Sequence, residues 1–335
     1  MGHQNHRTRI GAAVLLVMTP PMALGFRLLH ERQISASAFV QQSDGVIIRT
    51  KHPEVLGAAQ ALSAKKAAEI IVRQVDHVLL ATPNNGRSLV SLLTDRLGLP
   101  VVWPQPGSDW KASTGIGLGN VTLEVFHREP ASQSEAPRIA GISSLALQPA
   151  DLKVALDQLR SRGIAHDPPP EPGSRPAGNP LPRWTTVGLK GFGHGLFLIQ
   201  YNFDMDERRL RFDRVLREHD GGPLGVLRVL EVVIVPDRFD EVRAQWTKLL
   251  GPTASSEADL WVVGDGPKIR LVGAGDPRAG NFIVEVKSLR HAAAALRRLG
   301  VSAHATARQL RIDPEEMSGL RLILQEQRRP LRSRK

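Results

Sequence analysis

Cysteine is absent from this chain of 335 residues. That excludes disulfides, thiolate metal ligands and cysteine nucleophiles, and leaves the redox compartment open. Aromatic residues are scarce, with nine Phe, five Trp and a single Tyr. The cores must therefore be built largely from Leu, Val, Ile and Ala. Acidic residues are in deficit, 33 against 44 Lys and Arg, for a formal net charge of +11. The excess sits mainly at the ends. Residues 1–32 carry +3 and residues 328–335 carry +5, leaving +3 for everything between. Basic tails of this kind are solvated extensions more often than binding faces, so the charge does not support a nucleic-acid function.

A clean apolar run of about 20 residues, the length a membrane helix needs, is also missing. The nearest approach is Ile10 to Leu29, interrupted by Thr19, Pro20, Pro21 and Arg27. Arg7 and Arg9 before it and Ala23-Leu24-Gly25 within it follow the order of a secretory leader, while Pro20-Pro21 breaks the apolar core of one. Two readings stay open: a cytoplasmic protein with an unstructured leader, or one exported or anchored through residues 7–29. Membrane association is expected only if that segment is retained.

What is present is a repeat. Residues 33–52 are mixed and polar, and Pro53 to Val72 reads as a helix rich in Ala, Leu and Lys. A strand follows at Val75–Ala81, then a turn at Pro83-Asn84-Asn85-Gly86 and a helix from Arg87 to Leu97 stopped by Gly98. Strands at Pro100–Trp103, Thr114–Leu118 and Val121–His127 complete a β-α-β-β-β order. The order recurs. A strand at Ile142–Leu147 leads to a helix from Asp151 to Arg162, a loop rich in Pro and Gly over 167–182, and strands at Thr185–Leu189 and Leu196–Asn202. A third unit has strands at Val229–Val235, Leu260–Val263 and Lys268–Val272 around a helix ending at Leu250. A fourth has a strand at Phe282–Val286, a helix over Leu289–Leu299 and a last strand at Leu320–Gln325. The charged stretch 204–223, closing on Gly221-Gly222-Pro223, reads as a linker. Repetition of one unit decides the fold before any single motif does.

The run Val75-Asp76-His77-Val78-Leu79-Leu80-Ala81, then Leu97-Gly98-Leu99, then Gly119-Asn120-Val121-Thr122-Leu123-Glu124-Val125, resembles the vicinal-oxygen-chelate superfamily, which includes glyoxalases, extradiol dioxygenases, epimerases and bleomycin-resistance proteins. The resemblance spans about 72–327. It implies an α+β fold of four βαβββ modules forming two paired glyoxalase-like domains, preceded by a flexible or helical N-terminal extension. The expected division is a leader and helix to residue 71, a first pair over 72–203, a linker to 223, a second pair over 224–327 and a basic tail.

Alternate residues of a strand share a face. His77 therefore lies with Leu79 and Ala81, opposite Asp76, Val78 and Leu80, while Thr122, Glu124 and Phe126 share a face. The resemblance implies that His77 and Glu124 point into a cup and hold a divalent metal, for which imidazole and carboxylate suit Fe, Mn, Zn, Ni or Co. The second module should supply two more ligands. Counting from Pro149 gives Ser143, a poor ligand, and the counterpart of Glu124 is Gln200, whose amide oxygen can ligate without supplying charge, so the metal set the resemblance implies is His77, Glu124 and Gln200. Thr122, Phe126, Leu198 and Ser143 are expected to line the ligand, with Glu124 doubling as a base. His194, in Gly193-His194-Gly195, reads as a loop residue within reach of the cup mouth.

The second pair lacks histidine at the matching strands. Glu231 and Glu285 lie on first strands, with Arg270 and Ile323 near the remaining ligand places, so this pair reads as a metal-free scaffold. Extradiol dioxygenases of four-module build use their second pair, which fits badly here. Gly115-Ile116-Gly117-Leu118-Gly119 runs into a strand, where a dinucleotide fingerprint would open a helix. The resemblance then implies a metal-dependent lyase, isomerase or dioxygenase acting on a small oxygenated molecule, possible as a homodimer. The alternative is a metal-free small-molecule binder of the bleomycin-resistance kind.

Overall fold

The computed structural model describes residues 38–41, 47–50, 70–82, 86–103, 113–126, 140–169, 183–253, 259–276, 279 and 282–327. The apolar leader, the loop 170–182 and the basic tail lie outside the described residues, as does all of the helix read over 53–72 except Ile70–Val72, which are not helical. The chain divides after residue 62 into two units. The first contributes an antiparallel hairpin, β1 (Ala38–Gln41) with β2 (Ile47–Thr50), which the sequence reading missed.

Residues from 63 onward hold two mixed seven-stranded sheets, each made from two repeats of one topology. The first module is β3 (Gln74–Ala81), α1 (Arg87–Ser91) continuing as a π-helical turn over Leu92–Arg96, β4 (Val101–Trp103), β5 (Ser113–Gly117) and β6 (Thr122–Phe126). The second is β7 (Gly141–Gln148), α2 (Leu152–Ser161), β8 (Trp184–Leu189) and β9 (Gly195–Tyr201), with an isolated bridge from His166 to Leu189 where a further strand would run. The sheet order is β4-β5-β6-β3-β7-β9-β8. In each module the first and last strands pair in parallel, and the two first strands meet antiparallel in the centre.

The second sheet repeats this plan. Its third module is β10 (Val226–Ile234), α4 (Phe239–Leu250), β11 (Leu260–Trp261) and β12 (Lys268–Leu271). The fourth is β13 (Phe282–Val286), α5 (Leu289–Leu299), β14 (Ala303–Ala305), β15 (Gln309–Ile312) and β16 (Leu322–Glu326). Its order is β11-β12-β10-β13-β16-β15-β14. This is the α+β architecture of two paired glyoxalase-like domains.

The stretch read as a linker is mostly a helix, α3 (Met205–Glu218). Asp204 caps it by accepting from the Glu207 amide at 3.0 Å, and Leu216 is buried. Connection and helix are compatible: the Gly-Gly-Pro breaker still ends the segment, and Gly221, Gly222 and Gly225 all turn with positive φ.

One large apolar core covers the helix side of both sheets. Val75, Val78, Leu80, Leu123, Val125, Leu145, Leu147, Leu196 and Leu198 belong to it from the first pair. The two pairs also pack on each other. Asn120 donates to the Val229 carbonyl at 3.0 Å and accepts from the Val229 amide at 2.9 Å, so a side-chain amide stands in for a strand at a register shift of β10. Arg162 donates to the carbonyls of Lys248 and Leu249 at the C-terminal end of α4. Gly264 fits against the Arg73 carbonyl, where a Cβ would lie 2.1 Å from that oxygen.

Candidate functional site

The opposite face of the first sheet carries its own side-chain cluster, separate from the main core. A small cluster of Leu79, Ala146 and Ile199 lies there, with Phe197 and Tyr201 packed against it. The alternation of β3 is broken by a bulge: Val75 pairs with Leu147, yet His77 pairs with Ala146. Asp76 is the extra residue, so it joins His77 instead of pointing away from it. Both side chains are buried, at 2% and 6% exposure. Asp76 Oδ2 accepts from His77 Nδ1 at 2.6 Å and from Tyr201 Oη at 2.8 Å.

β6 runs parallel beside β3, with Thr122 opposite His77 and Glu124 opposite Leu79. This register brings Glu124 Oε2 to 3.2 Å from His77 Nε2. The other carboxylate oxygen, Oε1, accepts from Ser113 Oγ at 2.6 Å, and Ser113 in turn accepts from Trp103 Nε1 at 3.2 Å. Burial pushes the Glu124 carboxyl up, but the His77 hydrogen bond and charge, with the Ser113 hydrogen bond, outweigh it and hold the group below the usual carboxylate range. Trp103 and Phe197 both meet the His77 ring edge-to-face, with centroids 5.8 Å away.

His77 and Glu124 are therefore brought together, and Thr122 and Phe126 share the Glu124 face of β6, with Phe126 partly exposed at its end. Three expected residues are not at this site. Leu198 is fully buried in the core on the helix side. Gln200 alternates with Leu196 and Leu198, so it shares their face, and its amide donates to the Tyr201 carbonyl at 3.3 Å. The parity error has a plain cause: the run Leu196–Tyr201 is apolar on both faces, so alternation alone does not say which face is the cup. Ser143 donates to the Leu79 carbonyl at 3.2 Å beside a second register shift, spending its hydroxyl on the backbone. The residues opposite His77 and Glu124 are thus Ala146, Ile199 and Phe197, none of them a metal ligand.

Asp76, Tyr201, Ser113 and Trp103 escaped the sequence reading. Asp76 was assigned to the wrong face because one residue of bulge inverts the alternation. His194 does not reach the cup mouth. It lies against Trp246 of α4, rings stacked with centroids 6.1 Å apart, and desolvation lowers its pKa from 6.5 to about 4. Its Nε2 and Trp246 Nε1 are buried without hydrogen-bond partners.

On the second sheet the corresponding face is closed by ion pairs. Arg270 donates to both oxygens of Glu231, at 2.5 and 3.0 Å, and Arg228 donates to Glu285 at 2.9 Å. Val233, Val272, Ile283 and Ile323 fill the remainder. Among the described residues there is no group of three or more His, Asp or Glu that could hold a metal ion. No described helix is long and apolar enough to cross a membrane.

Residues 74–178 match the family model of the Glyoxalase/Bleomycin resistance protein/Dioxygenase superfamily. The match starts at β3 and runs through both central strands of the first sheet. No curated protein matches the sequence. Among solved structures, a catechol 2,3-dioxygenase superposes with a TM-score of 0.47 at 13% identity, covering 79% of this chain and 96% of its own. A Mn(II)-bound glyoxalase from Novosphingobium aromaticivorans gives 0.44 at 13% identity, covering 76% and 82%. Methylmalonyl-CoA epimerase from Mycobacterium tuberculosis gives 0.30 at 18% identity, covering 41% of this chain and 94% of its own. Likenesses this distant carry neither a reaction nor a ligand over to this chain.

Proposed function

We propose that the first module pair is a metal-assisted enzyme site for a small, oxygen-rich organic molecule, centred on His77 and Glu124. The observation that carries this reading is the buried contact of His77 Nε2 with Glu124 Oε2 at 3.2 Å while Asp76 holds Nδ1. An ionised Asp76 accepts only, so Nδ1 is the donor and Nε2 presents its lone pair to a carboxylate oxygen. Two electron-rich atoms at that distance need something positive between them, either a proton or a metal cation. Imidazole and carboxylate suit a divalent ion, and a carboxylate on the far imidazole nitrogen is the usual outer support of such a ligand. The donors fit two ligand positions, and the apolar wall of Ala146, Ile199 and Phe197 leaves the others to water or to the bound molecule.

A divalent ion bound there would supply Lewis acidity toward an oxygen of the ligand. The chain's own residues do the rest. Asp76 fixes the tautomer and plane of His77. Ser113 orients Glu124 through the hydrogen bond to Oε1, and the carboxylate is placed to accept a proton from a bound hydroxyl or activated C–H. Trp103, Phe197 and the Leu79–Ala146–Ile199 wall exclude water and so strengthen the polar contacts inside. The half-empty donor set also favours a second reading, a binder that sequesters its ligand without turnover. Screening 2-oxoaldehyde hemithioacetals and catechols, with and without Mn2+, Co2+, Ni2+ or Zn2+, separates the two. Metal-dependent turnover lost in Glu124→Gln is expected. Large thermal shifts in metal-free protein without any turnover would replace the enzyme with the binder.

A further inference from the structure

We propose that Tyr201 is a positioning residue for His77, acting through Asp76, and that through it the second module takes part in a site centred on the first. The inference rests on His77 being the working imidazole of the proposed site.

Tyr201 is the only tyrosine of the chain and the last residue of β9. Its hydroxyl reaches 125 positions back in sequence to donate to Asp76 Oδ2 at 2.8 Å. The same oxygen accepts from His77 Nδ1 at 2.6 Å. The terminal torsion of an aspartate is soft, so one hydrogen bond leaves the carboxylate free to rock. Two donors converging on one oxygen from different strands fix its plane, and with it the direction in which the imidazole is held.

The phenol is itself well placed. Its ring packs at 5.2 Å against Phe203, over which the Arg183 guanidinium lies at 5.5 Å, and its backbone pairs with Trp184 on β8. Its neighbours on the same face of β9, Phe197 and Ile199, carry no polar group, and Ala146 opposite His77 carries none either. The module without ligands of its own thus reaches the working imidazole through one hydroxyl.

The test uses the whole chain labelled with 15N in the histidine rings, beside cobalt(II) titration. Wild type should show one slowly exchanging Nδ1–H signal for His77. Tyr201→Phe keeps the ring and removes the donor, and should raise that proton's exchange and weaken cobalt binding, each by about fivefold, the equivalent of one ordinary hydrogen bond. Phe203→Leu disturbs the ring packing and keeps the hydroxyl, and should leave both near wild type. An unchanged Nδ1–H signal in Tyr201→Phe would overturn the proposal. So would the same change in Phe203→Leu, or loss of the folded state in Tyr201→Phe, because either makes the role one of packing. If wild type takes up no cobalt while the Nδ1–H signal responds to Tyr201→Phe alone, the metal reading fails and the positioning role stands.

Discussion

Asp76 and His77 are adjacent in sequence and adjacent in space, which an ideal strand forbids. The bulge that permits it puts a buried carboxylate on the imidazole nitrogen away from Glu124, and this is where the residue scale decides the chemistry. Replacing Asp76 with Asn keeps the size, removes the charge and lets the ring take the other tautomer. Metal affinity is expected to fall by about 10- to 100-fold, measured by competition with a chromogenic chelator; an unchanged affinity would show that His77 needs no support. His194 makes a different prediction. Its ring stays neutral in the fold down to about pH 4, while the unfolded chain takes up the proton near 6.5. Stability from this residue is therefore complete above the unfolded value and is lost as pH falls toward 4, at up to about 1.4 kcal/mol per pH unit. His194→Leu should flatten the fall in urea midpoint between pH 6.5 and 4, and a slope as steep as wild type would place the acid sensitivity elsewhere. His77 and Glu124 were legible in the sequence because a polar residue stood on each of two otherwise apolar strands. Asp76 and Tyr201 were not, because neither a bulge nor a contact over 125 residues leaves a periodic trace.

Among elements, β9 shows most plainly what the sequence withholds. Leu196 and Leu198 serve the core while Phe197 and Ile199 face the cup, so both faces are apolar and the period of two has no anchor. Leu198→Ala should cost about 2–5 kcal/mol of stability, since the side chain is fully buried in the core. Gln200→Ala should leave metal and ligand affinity within about twofold, because its amide serves the Tyr201 carbonyl. A large loss of metal in Gln200→Ala by titration would restore it as a ligand and reverse the face assignment. By contrast α5 was read at its observed ends, because Ser288 caps it and Gly300 leaves it in the left-handed region. The strands β14 and β15 were missed, the first being only Ala303-His304-Ala305, too short to carry alternation. The helix α3 hid in a charged stretch, and among its described side chains Leu216 is the buried one.

At the scale of the whole molecule, the repeat was legible in the sequence, and so was the lack of histidine on the matching strands of the second pair. Four central strands run through two sheets of the same order, yet among the described residues it is the first sheet that holds a histidine beside a carboxylate, His77 with Glu124. In the second, Glu231 and Glu285 are taken up by Arg270 and Arg228. The Glu231–Arg270 pair is nearly buried, at 15% and 6% exposure, so removing one partner leaves the other short of compensation. Arg270→Met should destabilise the protein by about 3 kcal/mol in urea unfolding while leaving the first site's affinities unchanged. A variant that unfolded no more easily would show that the pair is not what closes the second face. The two pairs meet at Asn120, Arg162 and Gly264, contacts that no motif announced.

The central claim is that His77 and Glu124 together form the metal-assisted site of this chain. The most direct measurement is the stoichiometry of cobalt(II) binding to the whole protein, compared with His77→Ala, Glu124→Gln and the double variant Glu231→Gln/Glu285→Gln. The account predicts about one equivalent in wild type and in the second-pair double variant, and loss of that equivalent in each first-pair variant. Wild type binding less than about a tenth of an equivalent, or His77→Ala binding as wild type does, would contradict it.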